Sequence, residues 1–282
     1  MERQSKHTGK GAFASQSASV ILAILITLSV FLGISGAAAD KRANRSYEVV
    51  KGMEYLKAAE NAPTDEAEAL FEARQKEKAE AARSEEERAK LISDLQNNRV
   101  DVFSVFKDYV ILGDSRVLGF SHYKFLGYRR VLAGGGDTFI KALDHLNEVK
   151  KLKPSYIFLC YGINDAGSAR WKTTEAYSAD VYKVIETLQK SFPDAKIIVS
   201  SAIWISKGAE KSFPKWGRIY EFNPVYKQVC EETGAVYVDN DGICEILKEK
   251  KMWSGDGIHL SREFYQYWAK NLWLGAMEEQ GQ

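Results

Sequence analysis

The sequence predicts an α/β domain, a three-layer αβα sandwich on a parallel sheet, behind an N-terminal transmembrane helix and a charged helical stalk. Three observations predict it. From about residue 106 onward, short apolar runs rich in β-branched residues alternate with amphipathic stretches. That is the pattern of strands buried on both faces and joined by crossover helices. Residues 20–39 are an uncharged apolar run, about the length of a bilayer-crossing helix. Between them, residues 40–105 are dominated by Glu, Lys, Arg and Ala, which favours helix but leaves little to bury. With 282 residues, 45% of them hydrophobic, the chain can form one sizeable core plus extra segments. A net charge of +1 gives no electrostatic reason to expect nucleic acid as a partner.

Residues 1–17 form a polar tail carrying Arg3, Lys6 and Lys10. Residues 18–39 then read as a signal anchor, because the apolar run exceeds the usual signal-peptide core. The chain would be single-pass in the cell membrane with its remainder extracytoplasmic. The competing reading is a signal peptide cleaved after Ala39, which would release a secreted protein; a buried core helix would need apolar partners that the flanking polar sequence does not supply. Lys41, Arg42 and Arg45 follow the run, so the positive-inside bias is weak. In 40–105, Thr64 after Pro63 is a suitable helix N-cap. Leu70, Phe71, Leu91, Ile92 and Leu95 give a thin apolar stripe, too poor in heptads for a coiled coil. The segment reads as a solvated spacer.

In 106–282 the expected strands are 109–113, 129–133, 155–160, 196–204 and 235–239. The expected helices are 137–149, 173–189 with Tyr177, Val181, Val184, Ile185 and Leu188 on one face, and 219–232, interrupted by Pro224. A last helix, 261–277, has a Ser cap and buries Phe264, Trp268, Leu272 and Trp273. The three cysteines, Cys160, Cys230 and Cys244, are odd in number and lack C-x-x-C spacing, which argues against zinc. Cys160 lies in an apolar run, and a Cys230–Cys244 bridge stays open.

The chemistry centres on the run from Tyr109 through Gly113-Asp114-Ser115 to Gly119, a buried strand leading into a helix start. A serine there lies at the carboxyl end of a strand, where open α/β sheets place ligands, beside N–H groups that favour negative charge. As a nucleophile, Ser115 needs a base, a group to orient the base, and oxyanion donors. Of the four histidines, His7 is in the tail, and His122 and His145 sit in or beside expected helices. His259 lies in a Gly-rich loop before the last helix, and Asp256 can curl back onto its Nδ1. The plain alternative is a turn capping that helix. Asn164, after the strand ending at Cys160, can donate to an oxyanion or merely form an Asx turn. Gly134-Gly135-Gly136 offers backbone N–H groups, or a simple strand-to-helix turn capped by Asp137. Neither phosphate-loop pattern is complete there.

Gly113-Asp114-Ser115, Gly136 in Gly-Asp-Thr, Gly162-Ile-Asn164-Asp165 and Asp256-Gly-Ile-His259, in that order, resemble the four blocks of the SGNH (GDSL-like) hydrolase superfamily, in a membrane-anchored or secreted bacterial form. The resemblance covers about residues 106–278 and implies a flavodoxin-like sheet. It implies Ser115 as nucleophile, His259 as base and Asp256 as its orienting group. The Ser115 and Gly136 N–H groups and the Asn164 side chain would form the oxyanion hole, with Gly135 as the fallback donor. No cofactor or metal is implied. The family commonly has an aliphatic residue after the serine, and here stands Arg116. It is either a helix-surface residue or a contact for an anionic substrate group. The absence of Gly-x-Ser-x-Gly argues against the other large hydrolase fold.

Tyr161, Trp171, Trp204, Trp216 and Trp253 lie in or near strand-end loops and suit sugar rings or plain packing. Tyr161 and Trp253 are the candidate substrate contacts beside Arg116. The expected activity is serine ester hydrolysis through an acyl-enzyme, removing O-acetyl groups from a cell-envelope carbohydrate. Its rivals are an O-acetyltransferase using the same triad, a lysophospholipase or thioesterase, and a catalytically silent anchored binding module.

Overall fold

In a computed structural model, residues 49–54, 57, 58 and 64–277 are described, so the expected polar tail and membrane span lie outside the described residues. Among the described residues no helix is long and apolar enough to cross a membrane. The chain divides into two units, residues 1–74 with 281–282, and residues 75–280. In the first unit the described residues are helical.

The helix Thr64–Gln96 (α1) runs 33 residues and contributes to both units. Its exposed face carries i,i+4 ion pairs such as Lys76–Glu80 and Arg83–Glu87, each worth a few tenths of a kcal/mol, about 0.3–0.5. Its last turns are different. Leu95 is buried in the core of the second unit, with Leu91 and Ile92 packed against it. Lys270 Nζ donates to the Gln96 carbonyl at 3.0 Å. The end of the expected spacer is therefore part of the α/β core.

The sheet has five parallel strands: Tyr109–Gly113 (β1), Val131–Ala133 (β2), Tyr156–Cys160 (β3), Lys196–Ser200 (β4) and Val236–Val238 (β5). Their spatial order is β2-β1-β3-β4-β5, the flavodoxin order, whose switch point lies between β1 and β3. Val110, Leu112, Ile157, Leu159, Ile197 and Val199 point to one face, and Ile111, Phe158, Cys160 and Ile198 to the other. This two-residue alternation, apolar on both faces, explains why the strands read as unbroken apolar runs.

One face is covered by Thr174–Ser191 (α5) and Ile219–Thr233 (α7), with the expected Tyr177, Val181, Val184, Ile185 and Leu188 buried. The other is covered by Asp241–Lys250 (α8), Phe264–Met277 (α9) and the end of α1. Thr173 caps α5, its side chain accepting from Ala176 N–H.

Several boundaries differ from expectation. β4 stops at Ser200 rather than 204, because its neighbour β5 ends at the paired Val238 and the N–H of Ala202 goes instead to Asn223 Oδ1. A short helix, Leu118–His122 (α2), follows β1, and the expected helix 137–149 is a 3-10 turn, Phe139–His145, followed by Leu146–Leu152 (α3). Pro224 lies inside a continuous α7, and the carbonyl of Tyr220 that loses its bond belongs to an exposed residue. The last helix begins at Phe264, not 261. Cys230 and Cys244 are free and buried, so there is no bridge between them. Burial pushes both thiols up to about 12.

Candidate active site

The site is assembled where β1 and β3 end, on either side of the switch point. β1 runs into Gly113, which lies against β3 and the next turn. A Cβ on Gly113 would come within 2.2 Å of Val117 Cγ2 and 2.4 Å of the Cys160 carbonyl. Only glycine lets the chain leave the strand here, and the turn that follows presents Ser115, half-buried, at the strand end.

His259 comes from the loop between α8 and α9. That loop is closed by a bridge between Trp253 and Leu260 and by Ser254 N–H donating to the His259 carbonyl at 2.7 Å. Asp256 Oδ1 accepts the N–H groups of Ile258 at 2.9 Å and His259 at 3.0 Å. Its other oxygen, Oδ2, lies 2.6 Å from His259 Nδ1. A carboxylate only accepts, so Nδ1 carries the proton and donates it, and Nε2 is left with a lone pair. That nitrogen is 3.0 Å from Ser115 Oγ and can accept the hydroxyl proton. Burial pushes the Asp256 carboxyl up, but the bond to His259 and the two backbone N–H groups outweigh it, and its pKa falls below the ordinary carboxylate value.

The expected oxyanion donors lie on the neighbouring turns. Among the described residues, no protein acceptor is bonded to the N–H of Ser115 or Gly136. Gly136 is exposed and holds φ +85, a left-handed conformation that favours glycine. Asn164 opens the short helix Ile163–Gly167 (α4). Its Nδ2 gives one hydrogen to the Asp137 carbonyl at 2.9 Å, which orients the amide and leaves its second hydrogen for a ligand. Gly135, the fallback donor, is also exposed on this turn.

Asp165, next to Asn164, has no role implied by the sequence pattern. It is wholly buried, and its Oδ1 accepts Phe139 N–H at 2.8 Å. Together with the Asn164–Asp137 bond, this clamps the Gly136 turn to α4. Burial raises the Asp165 carboxyl to about 7. Its Oδ2 and the Tyr161 hydroxyl are buried without a hydrogen bond among the described residues, while Tyr177 pairs with Tyr226. The partner, Phe139, is remote in sequence, and no spacing rule points to it.

The candidate substrate contacts fare differently. Arg116 is 2% exposed, so it is not the helix-surface residue of one reading, and its guanidinium is taken up by protein partners. Its guanidinium pairs with the buried Asp114 carboxylate, Nη2 to Oδ2 at 3.4 Å, and Nη1 donates to the Ile203 carbonyl at 2.8 Å. Asp114 Oδ1 also accepts Arg116 N–H at 2.9 Å, so the pair fastens the turn that carries Ser115. Tyr161 is buried in the core with its ring edge-on to Phe139. Trp171 is buried too, its indole N–H donated to Asp180. Trp253 is half-buried, and its indole N–H is committed to the Trp204 carbonyl at 3.1 Å.

A serine, an imidazole and a carboxylate thus stand in one unbroken chain of hydrogen-bond contacts, an arrangement able to activate a hydroxyl. The GDSL-like Lipase/Acylhydrolase family pattern matches residues 112–267, and the chain belongs to that family of hydrolases. No curated protein matches. Among solved structures, a lipase/acylhydrolase from Enterococcus faecalis is 21% identical over 58% of this chain and 92% of its own, with a TM-score of 0.45. A GDSL-like lipase from Parabacteroides merdae is 20% identical over 61% and 96%, with a TM-score of 0.48. An acetylxylan esterase from Geobacillus stearothermophilus is 17% identical over 61% and 94%, with a TM-score of 0.45. Likeness at this level bears on neither substrate nor mechanism.

Proposed function

We propose that this chain is a serine carboxylic ester hydrolase that works through an acyl-enzyme at Ser115. The observation that carries the reading is the continuous contact from Ser115 Oγ through His259 to Asp256. His259 Nε2 takes the Ser115 proton as Oγ attacks the ester carbonyl, and Asp256 holds the tautomer and stabilises the imidazolium. The Ser115 and Gly136 N–H groups and the free Asn164 hydrogen receive the oxyanion. His259 then returns the proton to the leaving alcohol. Water, deprotonated by the same imidazole, releases the acid and restores the serine.

The substrate proposed is an O-acetylated carbohydrate of the cell envelope. Two features support this: the apolar run at 18–39, read as an anchor, and the helical segment after it, read as a spacer. Together they would hold the domain outside the membrane, where such glycans lie. Hydrolysis of p-nitrophenyl acetate by wild type, lost in Ser115→Ala and in His259→Ala with unchanged thermal unfolding, tests the chemistry. Full activity in either variant would refute it. Acetate release from an O-acetylated glycan, measured with and without an added sugar acceptor, tests the direction. Acetyl transfer faster than hydrolysis would make the chain an O-acetyltransferase instead.

A further inference from the structure

The segment between β4 and α7 forms a wall beside the site, touching the His259 loop at one end and α4 at the other. At one end, Ser206 N–H donates to the Gly257 carbonyl at 2.8 Å, inside the Asp256–His259 loop. At the other, Trp216 packs its indole on Gly167, the last residue of α4, where a Cβ would meet Nε1 at 2.9 Å. Arg218 Nη1 donates to the Trp171 carbonyl at 2.9 Å, which fixes the loop holding Lys172. The wall therefore runs from the base side of the site to its oxyanion side.

Its outer surface has an uncommon make-up for a chain of net charge +1. Lys207 and Lys211, on Lys207–Ser212 (α6), and Lys215, on the following 3-10 turn, are exposed, as is Lys172. Among the described residues none of the four is in an ion pair. Of the carboxylates nearby, Asp180 holds Arg170 and Glu221 holds Arg218, while Glu210, on α6 itself, lies against Gly217. Between the lysines stands Phe213, 55% exposed, its ring 4.5 Å from that of Trp216. An exposed aromatic face costs free energy in water and suits the flat apolar face of a sugar ring. Exposed unpaired cations attract a repeating anion over roughly a Debye length, about 8–10 Å.

We propose that this wall is a docking strip for an anionic polysaccharide, a glycan bearing carboxylates at regular intervals, whose ester enters the adjoining site. The inference rests on the esterase reading for its chemistry but not for its binding. Lysines alone would accept any polyanion, and an aromatic face alone any glycan. The two together select a charged glycan.

The test separates the two readings by measuring binding in the Ser115→Ala chain. In native gels at low ionic strength, polygalacturonate should retard it and neutral xylan should not. Replacing Lys172, Lys207, Lys211 and Lys215 together by Ala should weaken the retardation about tenfold, since exposed ion pairs are individually weak. Phe213→Ala should weaken it on polygalacturonate but not on polyphosphate. Equal retardation by xylan, or retardation indifferent to the four lysines, would overturn the proposal. Polyphosphate binding as tight as polygalacturonate, with no dependence on Phe213, would make the strip a plain polyanion surface. Cosedimentation with phosphatidylglycerol vesicles, without polygalacturonate retardation, would assign it to a lipid surface. If wild type fails to cleave p-nitrophenyl acetate while this binding holds, the chemistry is wrong and the strip stands.

Discussion

Replacing Arg116 by Ala should destabilise the α/β unit severely. The guanidinium is buried beside the wholly buried Asp114 carboxylate and is also the donor to the Ile203 carbonyl. Its loss leaves that carboxylate with a single backbone N–H from residue 116, strands the Ile203 carbonyl and opens a cavity. Breaking a buried pair by removing one partner costs about 3–5 kcal/mol. In a domain of this size each kcal/mol moves Tm by about 2–4 °C, so a fall of about 6–20 °C is expected. Because the pair fastens the turn that carries Ser115, kcat should fall as well. The ratio of activities on acidic and neutral esters should stay the same. Asp114→Asn combined with Arg116→Met should recover part of the lost Tm, since it removes both charges together. Thermal unfolding followed by circular dichroism reads the stability, and matched p-nitrophenyl esters read the selectivity. An Arg116→Ala chain with wild-type Tm and a raised KM only for acidic esters would show that the guanidinium reaches the cleft, and the assignment would be wrong.

Other expectations follow from the same geometry. Asn164→Ala should lower kcat on p-nitrophenyl acetate about a hundred- to a thousandfold while KM changes little; a kcat within a fewfold of wild type would remove it from the oxyanion hole. Asp165, raised to about 7 by burial, keeps a proton in the fold that the unfolded chain has lost above its ordinary carboxylate pKa of about 3.9. The folded state thus binds more protons across that window, and this group's effect is to lower stability as pH rises from about 4 to about 7. Asp165→Asn should therefore gain on wild type in urea unfolding between acid and neutral pH, and parallel pH curves would contradict it. Gly136→Ala should cost about 1–2 kcal/mol through its left-handed φ alone, because a Cβ there meets no atom within 4 Å. The three thiols should react with Ellman's reagent only on unfolding, as all are buried and free.

Much of the fold was legible because buried parallel strands write themselves as continuous apolar runs, and those of β1 and β3 end at the blocks that carry Ser115 and Asn164. That Ser115, Asp256 and His259 meet was legible for a related reason. Each follows or precedes a regular element, and the Asp256–His259 contact is local, three residues apart. What depended on distant partners was not legible. The burial of Arg116 was hidden because nothing near it in sequence says that the Ile203 carbonyl closes over it. Tyr161 read as a cleft residue because strand ends do not reveal which way a ring turns, and the Phe139 ring that packs on it arrives from another turn. The boundary near residue 105 was blurred in the same way. Leu91, Ile92 and Leu95 looked like a sparse stripe, yet they complete the core that α9 closes from the other end of the chain.

The measurement that tests the account most directly is labelling of the wild-type chain with a fluorophosphonate, followed by mass mapping of the modified residue. The account predicts one adduct, on Ser115, formed in step with the loss of p-nitrophenyl acetate hydrolysis and absent from Ser115→Ala and greatly slowed in His259→Ala. An adduct on another serine with activity lost, or labelling of Ser115 with activity intact, would contradict it.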